Sequence, residues 1–197
     1  STTDSLDPGT HENGFSQNLV YTYANHLFEI DNNGQLVPEL VESYDGTDGA
    51  TKWTFKIRKD VVFHNGKPLT ADDVIASINH HRGEDSKSAA KGIVEDIVDL
   101  KKTGTHEVTA TLKAGNAGFP TIMTDYHLAI LPAKDGKIDW ASGIGTGAYM
   151  IDNLEPGVRV SYKRNPNYFK TDRAHFDEVE MIALIDTTAR QNAIMNG

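Results

Sequence analysis

The chain contains no cysteine among its 197 residues. Disulfides, thiolate nucleophiles and cysteine-ligated zinc sites are therefore excluded. The same absence is compatible with reducing and oxidising compartments alike, so it indicates no compartment by itself. Long apolar runs are also missing, because no segment approaches the roughly 20 apolar residues that a helix needs to cross a bilayer. We expect no membrane-spanning helix in this chain.

Positive charge is scarce as well. The chain has 19 Lys and Arg residues against 28 Asp and Glu, which gives a net charge of −9. The charges are spread along the sequence, so no face concentrates enough cations to neutralise a phosphate backbone. We expect no nucleic-acid partner. Hydrophobic residues at 38% and charged residues at 24% are typical of an ordinary globular protein.

Motifs of known catalytic and metal sites are missing too. There is no Gly-x-Ser-x-Gly elbow, and the Cys-His arrangement requires a cysteine. Adjacent His80 and His81 would point about 100° apart on a helix, which prevents them from sharing one ion. We expect the histidines at the surface or at helix ends, and we predict no catalytic residue, no metal site and no cofactor. The eight histidines are at positions 11, 26, 64, 80, 81, 106, 127 and 175.

Two further patterns imitate functional sites. Residues 143–147 are rich in glycine, but they lack the Lys-Ser/Thr of a phosphate loop and precede a strand pattern rather than a helix. Asp72 and Asp73 form a carboxylate pair, yet nothing in the sequence makes them face each other across a cleft. We interpret the glycines as a connection into a hairpin, and the carboxylates as solvated acids at a helix start.

Helical patterns recur along the chain. Phe15, Leu19, Tyr23 and Leu27 are spaced by four, which predicts a helix with Ser16 as its N-cap and residues 31–34 as its stop. Thr70 followed by Asp73 resembles a capping box and predicts a second helix that ends near residues 81–83. Further helices are predicted at 119–126 and 187–195.

Strand patterns alternate with these helices. Trp53, Phe55 and Ile57 alternate with polar residues and so predict a half-buried strand. Residues 45–49 and 155–157 have turn composition, the latter between two strand-like runs that indicate a hairpin. The segment 93–100 fits a strand or a short helix. Other strands are predicted at 106–113, 128–132, 148–154, 158–163 and 179–185. The fold class is mixed α and β, and the last helix lacks the strand expected after it, which suggests truncation.

Three stretches carry a resemblance to a known family. Ser5-Leu6-Asp7-Pro8, with residues 36–44 further on, is similar to its Leu-Asp-Pro opening and its Pro-x-Leu-Ala-Glu-Ser-Trp segment, with Val41 and Tyr44 as departures. Residues 53–74 match its signature nearly residue for residue, and residues 145–169 resemble its Gly-Thr-Gly hairpin. On these motifs the chain is identified as a member of the family 5 extracellular solute-binding proteins of ABC transporters, which includes oligopeptide-, dipeptide- and nickel-binding proteins.

The resemblance implies an α/β fold of the periplasmic binding protein type II kind. The chain would be the amino-terminal portion, the first lobe with an inserted α+β subdomain, and the second lobe would be absent. Residues 1–32 and 133–197 would form the main part of the lobe, and residues 33–132 the inserted subdomain. The implied function is capture of peptides for an ABC permease without catalysis. The implied protein is a monomer, in the periplasm or lipid-anchored outside a Gram-positive cell.

The resemblance also implies ligand-binding residues. In oligopeptide-binding members the loop after Leu-Asp-Pro lies against the peptide backbone, which here corresponds to His11, Glu12, Asn13 and Gly14. An extended peptide offers unpaired amides and carbonyls, so a segment that adds to it like a strand binds without reading side chains. Ser88 aligns loosely with another ligand-facing stretch. A plain surface loop explains the composition of residues 11–14 equally well.

Other functions remain open from the sequence. The same scaffold motifs occur in relatives that bind a nickel chelate, an oligosaccharide or another small solute, and motifs that hold a scaffold do not identify a ligand. A sensor or chaperone-like module is a second reading. A hydrolase is a third, and the missing nucleophile and metal motifs count against it.

Overall fold

The computed structural model describes residues 4–196. Residues 1–3 and Gly197, which the predicted division of the chain includes, lie outside this range. The helices are α1 (Gly14–Tyr23), α2 (Ala71–Asn79), α3 (Phe119–Ile122) and α4 (Thr187–Asn196), with 3-10 turns at Pro8–Thr10, Tyr126–Leu128 and Trp140–Ser142. The strands are β1 (Phe28–Ile30), β2 (Leu36–Pro38), β3 (Val41–Thr47), β4 (Lys52–Ile57), β5 (Ile97–Gly104), β6 (Glu107–Leu112), β7 (Ala133–Lys134), β8 (Lys137–Ile138), β9 (Tyr149–Glu155), β10 (Arg159–Arg164) and β11 (Glu178–Ile182).

A four-stranded antiparallel sheet in the order β3-β4-β6-β5 forms one layer of the first core. The strand predicted from Trp53, Phe55 and Ile57 is confirmed, since all three side chains are buried. Val74 and Ile78 of helix α2 pack in the same core. The predicted capping box of this helix is confirmed, because the Asp73 carboxylate accepts a hydrogen bond from the Thr70 amide at 2.9 Å.

A three-stranded antiparallel sheet in the order β11-β10-β9 borders the second core. The predicted hairpin is confirmed, with its turn between Glu155 and Arg159. Helix α1 supplies Leu19 and Tyr23 to this core, and Val160 from β10 meets them. None of the residues of α4 is buried, and even the apolar Ile194 is 85% exposed.

Helix α1 differs from its prediction at both ends. Asn13, and not Ser16, is the N-cap: its Oδ1 accepts from the Ser16 amide at 3.0 Å, and Ser16 Oγ accepts from the Asn13 amide at 3.3 Å. The helix ends at Tyr23, four residues before Leu27, which is buried at a bend just before β1. The Gly147 amide donates to the Tyr23 carbonyl at 2.8 Å and so caps the helix from a distant part of the chain.

Three other predicted elements require correction. Of the predicted strand 128–132, Leu128 ends a 3-10 turn, and residues 129–132 are buried but pair with no strand among residues 4–196. Ile130 and Leu131 donate their amides to the Asn25 carbonyl and to the Ser77 hydroxyl instead. Residues 45–47 belong to β3, and the predicted turn begins only after them. Of residues 93–100, the first half is turn and the second half begins β5.

No helix within residues 4–196 is both long and apolar enough to cross a membrane.

Candidate ligand-facing site

The segment after Leu6 is held against the loop that contains Ser88. The Ala89 amide donates to the Gly9 carbonyl at 2.9 Å, and a Cβ placed on Gly9 would lie 3.2 Å from the Cβ and Oγ of Ser88. Asp7 anchors the turn, because its Oδ1 accepts from the Gly9 amide at 2.9 Å and from His80 Nε2 at 2.7 Å. The fold therefore joins the turn that precedes the predicted residues His11–Gly14 to the loop of the predicted residue Ser88, about 80 residues further along the chain, while residues 11–14 do not line the opening between them.

A shallow cavity of about 290 Å³ opens between these two segments. Its lining comprises Asp7, Gly9, Thr10, His80 and residues 85–88. Ser88 is half-buried at its edge, where its hydroxyl contacts His81 Nδ1 at 2.6 Å and accepts from the Ala90 amide at 3.1 Å. Both carboxylate and cationic side chains border the opening, which suits a polar solute or the main chain of a peptide.

The residues predicted in the amino-terminal loop occupy three different environments. His11 is 1% exposed, and its Nε2 donates to the Ser5 carbonyl at 3.0 Å, so its ring faces the interior. Glu12 and Gly14 are exposed. Asn13 is also exposed, but its side-chain oxygen Oδ1 already accepts the hydrogen bond that caps α1. Sequence reasoning missed Asp7 and Gly9, although the Leu-Asp-Pro motif pointed to the turn that places them.

The expectation of surface positions is wrong for four histidines, although His81, directly after the C-cap of α2, lies at a helix end as expected. His11, His26, His81 and His127 are each less than 5% exposed. Burial lowers the pKa of His26 to about 4. Burial also lowers the pKa of His81 to about 4, with further lowering by repulsion from His80 and His127. No group of His, Asp or Glu within residues 4–196 has the arrangement of a metal site.

The two carboxylates at the start of α2 differ in environment. Asp72 is exposed, as expected of a solvated helix acid, and its Oδ2 pairs with Lys102 at 2.7 Å. Asp73 is fully buried, which contradicts the same expectation for it. Its carboxylate accepts from the Ala133 amide at 2.7 Å and from Lys67, so it links α2 to two other segments. The burial arises from tertiary packing that the sequence pattern does not show.

The glycine-rich residues 143–147 connect to a hairpin, as interpreted from the sequence. A Cβ on Gly145 would lie 2.1 Å from the Tyr23 carbonyl oxygen, so only glycine allows this approach. His64 holds the same loop, since its Nδ1 accepts from the Gly145 amide at 3.2 Å and its Nε2 donates to the Gly147 carbonyl at 3.0 Å. The motif thus joins the end of α1 to the turn after residue 63.

A second, larger cavity of about 570 Å³ lies between β1 and the segment after β10. Lys170 crosses it and pairs with Glu39 at 2.6 Å and with Glu29 at 3.0 Å. Asn25 donates to Glu39 at 2.7 Å and accepts from the Thr146 hydroxyl at 2.9 Å. These ion pairs and hydrogen bonds fasten the two segments together.

Comparison with known proteins assigns the family. The chain matches the model described as bacterial extracellular solute-binding proteins, family 5 middle, over residues 35–197. It is 27% identical over 183 residues to the oligopeptide-binding protein AppA of Bacillus subtilis, covering 88% of this chain and 33% of that protein.

Solved structures show the same fold. The structure of AppA in complex with a nonapeptide matches with a TM-score of 0.88 at 24% identity over all of this chain and 41% of that one. AgaA of A. tumefaciens R10, in complex with agropinic acid, matches with a TM-score of 0.91 at 23% identity, over 98% of this chain and 40% of that one. NikZ of Campylobacter jejuni, in complex with Ni(L-His), matches with a TM-score of 0.85 at 21% identity, over 100% of this chain and 40% of that one.

The chain spans about a third of the length of the curated relative AppA and about 40% of the solved chains, which corresponds to a single lobe of a mixed α/β periplasmic binding protein. The mixed α and β class predicted from the residue patterns is confirmed. The family model covers well over half of the chain. This chain therefore belongs to the bacterial extracellular solute-binding proteins of family 5.

Proposed function

We propose that this chain is part of the solute-binding subunit of an ABC importer, which captures peptides and delivers them to a membrane permease without catalysis. The observation that carries the proposal is the junction of residues 7–11 with the loop at Ser88, beside a polar opening at the surface. The names of relatives such as AppA support peptides as the solute. We place the protein outside the cytoplasm, in the periplasm or on a lipid anchor, as a monomer.

We propose Glu12, Asn13, Gly14 and Ser88 as the ligand-binding residues, with His11 behind them. The first three are exposed and follow the turn that Asp7 fixes. An extended peptide that adds to this edge would satisfy its amides and carbonyls on main chain, and so would be bound with little regard to sequence. His11 would act from the interior, by fixing the loop through the Ser5 carbonyl.

We also propose the division of the chain into residues 1–32 with 133–197 and an inserted subdomain of residues 33–132. The two hydrophobic cores support it. The first core draws its buried residues from Leu27 to Ile130, and the second draws on α1, on Ala129 and beyond, and on Ala76 of α2. Helix α2 contributes to both, so we expect the two parts to unfold together.

The test is ligand capture by the longer protein that contains this sequence. Native mass spectrometry after gentle purification is expected to release a mixture of short peptides on denaturation. Peptide binding is then compared between Glu12→Lys and the control Glu42→Lys, both of which alter an exposed glutamate. We expect weaker binding, by about tenfold or more, only for Glu12→Lys, since about 1.4 kcal/mol suffices. Equal affinities would contradict the proposed site.

A second candidate solute is a small chelate or opine. The structures of NikZ with Ni(L-His) and AgaA with agropinic acid favour it, because their folds match this chain as closely as the peptide-bound AppA does. A single chelate, opine or sugar mass in the same experiment would keep the importer function and replace the peptide. If none of these solutes raised the melting temperature of the longer protein, the transport function itself would be abandoned.

A further inference from the structure

Four histidines from three segments meet behind the candidate ligand-facing site. His11 follows the 3-10 turn Pro8–Thr10, His80 and His81 follow α2, and His127 lies in the 3-10 turn Tyr126–Leu128. The ring centroids of His80 and His81 are 5.1 Å apart, and those of His81 and His127 are 6.5 Å apart. We call these four residues the imidazole cluster. Three of them, all but His80, are less than 5% exposed.

The cluster holds the two segments of the site together. His80 Nε2 donates to Asp7 Oδ1 at 2.7 Å, and His81 Nδ1 contacts Ser88 Oγ at 2.6 Å. These two adjacent rings thus bind the amino-terminal turn and the Ser88 loop respectively. His11 completes the arrangement from the other side of the turn, through its bond to the Ser5 carbonyl.

Each of the three buried rings of the cluster leaves one nitrogen unpaired. His11 Nδ1, His81 Nε2 and His127 Nε2 have no hydrogen-bond partner within residues 4–196. A neutral imidazole tolerates an unpaired ring nitrogen as an unused acceptor, but a protonated one carries an N–H on both nitrogens. Protonation would therefore add a buried charge to each ring and, at His11 Nδ1, a buried donor without an acceptor, and both destabilise the closed arrangement.

The charged groups around the cluster only partly offset this cost. Asp7 faces His80 directly and also attracts His11 and His81. Asp4 attracts His11, and Asp125 Oδ1 accepts from His127 Nδ1 at 2.7 Å. Against these stand burial and the mutual repulsion of the rings, since His127 opposes a charge on both His11 and His81.

For His11 and His81, the combined effect of these influences is a lowered pKa, which favours the neutral ring. Burial lowers the pKa of His11, and the Ser5 carbonyl and the two carboxylates do not restore it. Burial and repulsion from His80 and His127 lower the pKa of His81 to about 4, although the main chain of His127 and Asp7 act in the opposite direction. An unfolded histidine titrates at about 6.5.

We propose that the imidazole cluster is a pH-sensitive latch, which releases residues 7–11 from the Ser88 loop when the surroundings become acidic. The proposal rests on the proposed function in one respect, because these segments carry the proposed ligand contacts. The sign follows from linkage: groups that titrate lower in the closed state than in the open state stabilise closure above about pH 6.5. That stability is lost as the pH falls from about 6.5 towards 4, and a protein outside the cytoplasm meets such changes.

The experiment is hydrogen exchange of the 197-residue chain, read by mass spectrometry at about pH 7.5 and pH 5 with labelling times scaled for the intrinsic rate. Protection of residues 5–11 and 83–91 is expected to fall by about tenfold or more. A group whose pKa differs by one unit between the closed and the open state changes the equilibrium between those states by about tenfold. Protection of β4 is expected to remain unchanged. Equal protection at both pH values, or an equal loss in β4, would overturn the latch.

Variants test whether the cluster is the cause. Asn at position 81 can keep a bond to Ser88 but cannot take up a proton, so His81→Asn is expected to reduce the pH response. His175→Asn, at an exposed position, is expected to leave the response unchanged. If His81→Asn does not fold, imidazole NMR of the unaltered chain decides instead: midpoints of 6.5 or above for both His11 and His81 would refute the proposal. These readouts need no ligand, so a failed peptide test would leave the latch standing.

Discussion

The buried carboxylate of Asp73 is expected to be one of the most stabilising polar groups of the chain. Its Oδ2 accepts from the amide of Thr70 at 2.9 Å and from the hydroxyl of Thr70 at 3.2 Å. Its Oδ1 accepts from the Ala133 amide at 2.7 Å and from the Lys67 ammonium group. The side chain is 0% exposed, so water cannot replace any of these partners.

The substitution Asp73→Asn keeps the shape and removes half of the acceptors. Whichever way the amide is turned, its NH₂ group faces donors, either at Thr70 or at Ala133 and Lys67. Hydrogen bonds to a charged group contribute about 1.5–3 kcal/mol each, and a buried donor without an acceptor adds a desolvation cost. We therefore expect Asp73→Asn to lower the free energy of unfolding by about 3 kcal/mol.

The assay is urea denaturation followed by circular dichroism, with Asp72→Asn as the matched control. Asp72 is the preceding residue of the same helix turn, but its side chain is 61% exposed and pairs only with the exposed Lys102 among the bonds that the structure shows for it. An exposed pair contributes less than about 1 kcal/mol. A loss below about 1 kcal/mol for Asp73→Asn, or losses of equal size for both variants, would refute the reasoning.

Two further predictions concern contacts between distant segments. A Cβ on Gly147 would lie 2.4 Å from the Tyr23 carbonyl carbon. Because these backbone atoms cannot move aside as the end of a flexible side chain can, we expect Gly147→Ala to lower the free energy of unfolding by about 3 kcal/mol, measured by urea denaturation. Gly92→Ala, which meets no atom, is expected to stay within about 0.5 kcal/mol, and equal effects would disprove the clash. Lys170→Met would leave Glu39 without its cation, and we expect a loss of about 2–3 kcal/mol in thermal or urea unfolding. A loss under about 1 kcal/mol would show that the remaining partners of Glu39 suffice.

Short-range signals predicted the local elements well. The alternation in β4 and β6, the hairpin of β9 and β10, and the capping box of α2 each depend on residues within one element or one turn. Their apolar faces and turn chemistry are decided before any distant contact forms. The family motifs also coincide with such local devices, which is why the resemblance predicted the fold class better than it predicted a ligand.

Long-range contacts explain the predictions that were wrong. Helix α1 stops at Tyr23 because the Gly147 amide reaches its last carbonyl, and residues 128–132 stay unpaired because Asn25 and Ser77 take their amides. No local pattern distinguishes Asp73 from Asp72, yet one is buried and the other is solvated. Likewise, the spacing of histidines predicted no site, whereas the fold gathers four of them behind one loop.

The sequence by itself determined the mixed α and β class, because periodicity, caps and turns act over a few residues, and its motifs carried the resemblance to a solute-binding family. Only the tertiary structure decided which polar groups are buried, and that the turn at Asp7 meets the loop at Ser88. Burial and hydrogen bonding depend on neighbours brought from far along the chain. The chemistry of the candidate site therefore arises from packing, whereas its scaffold arises from local pattern.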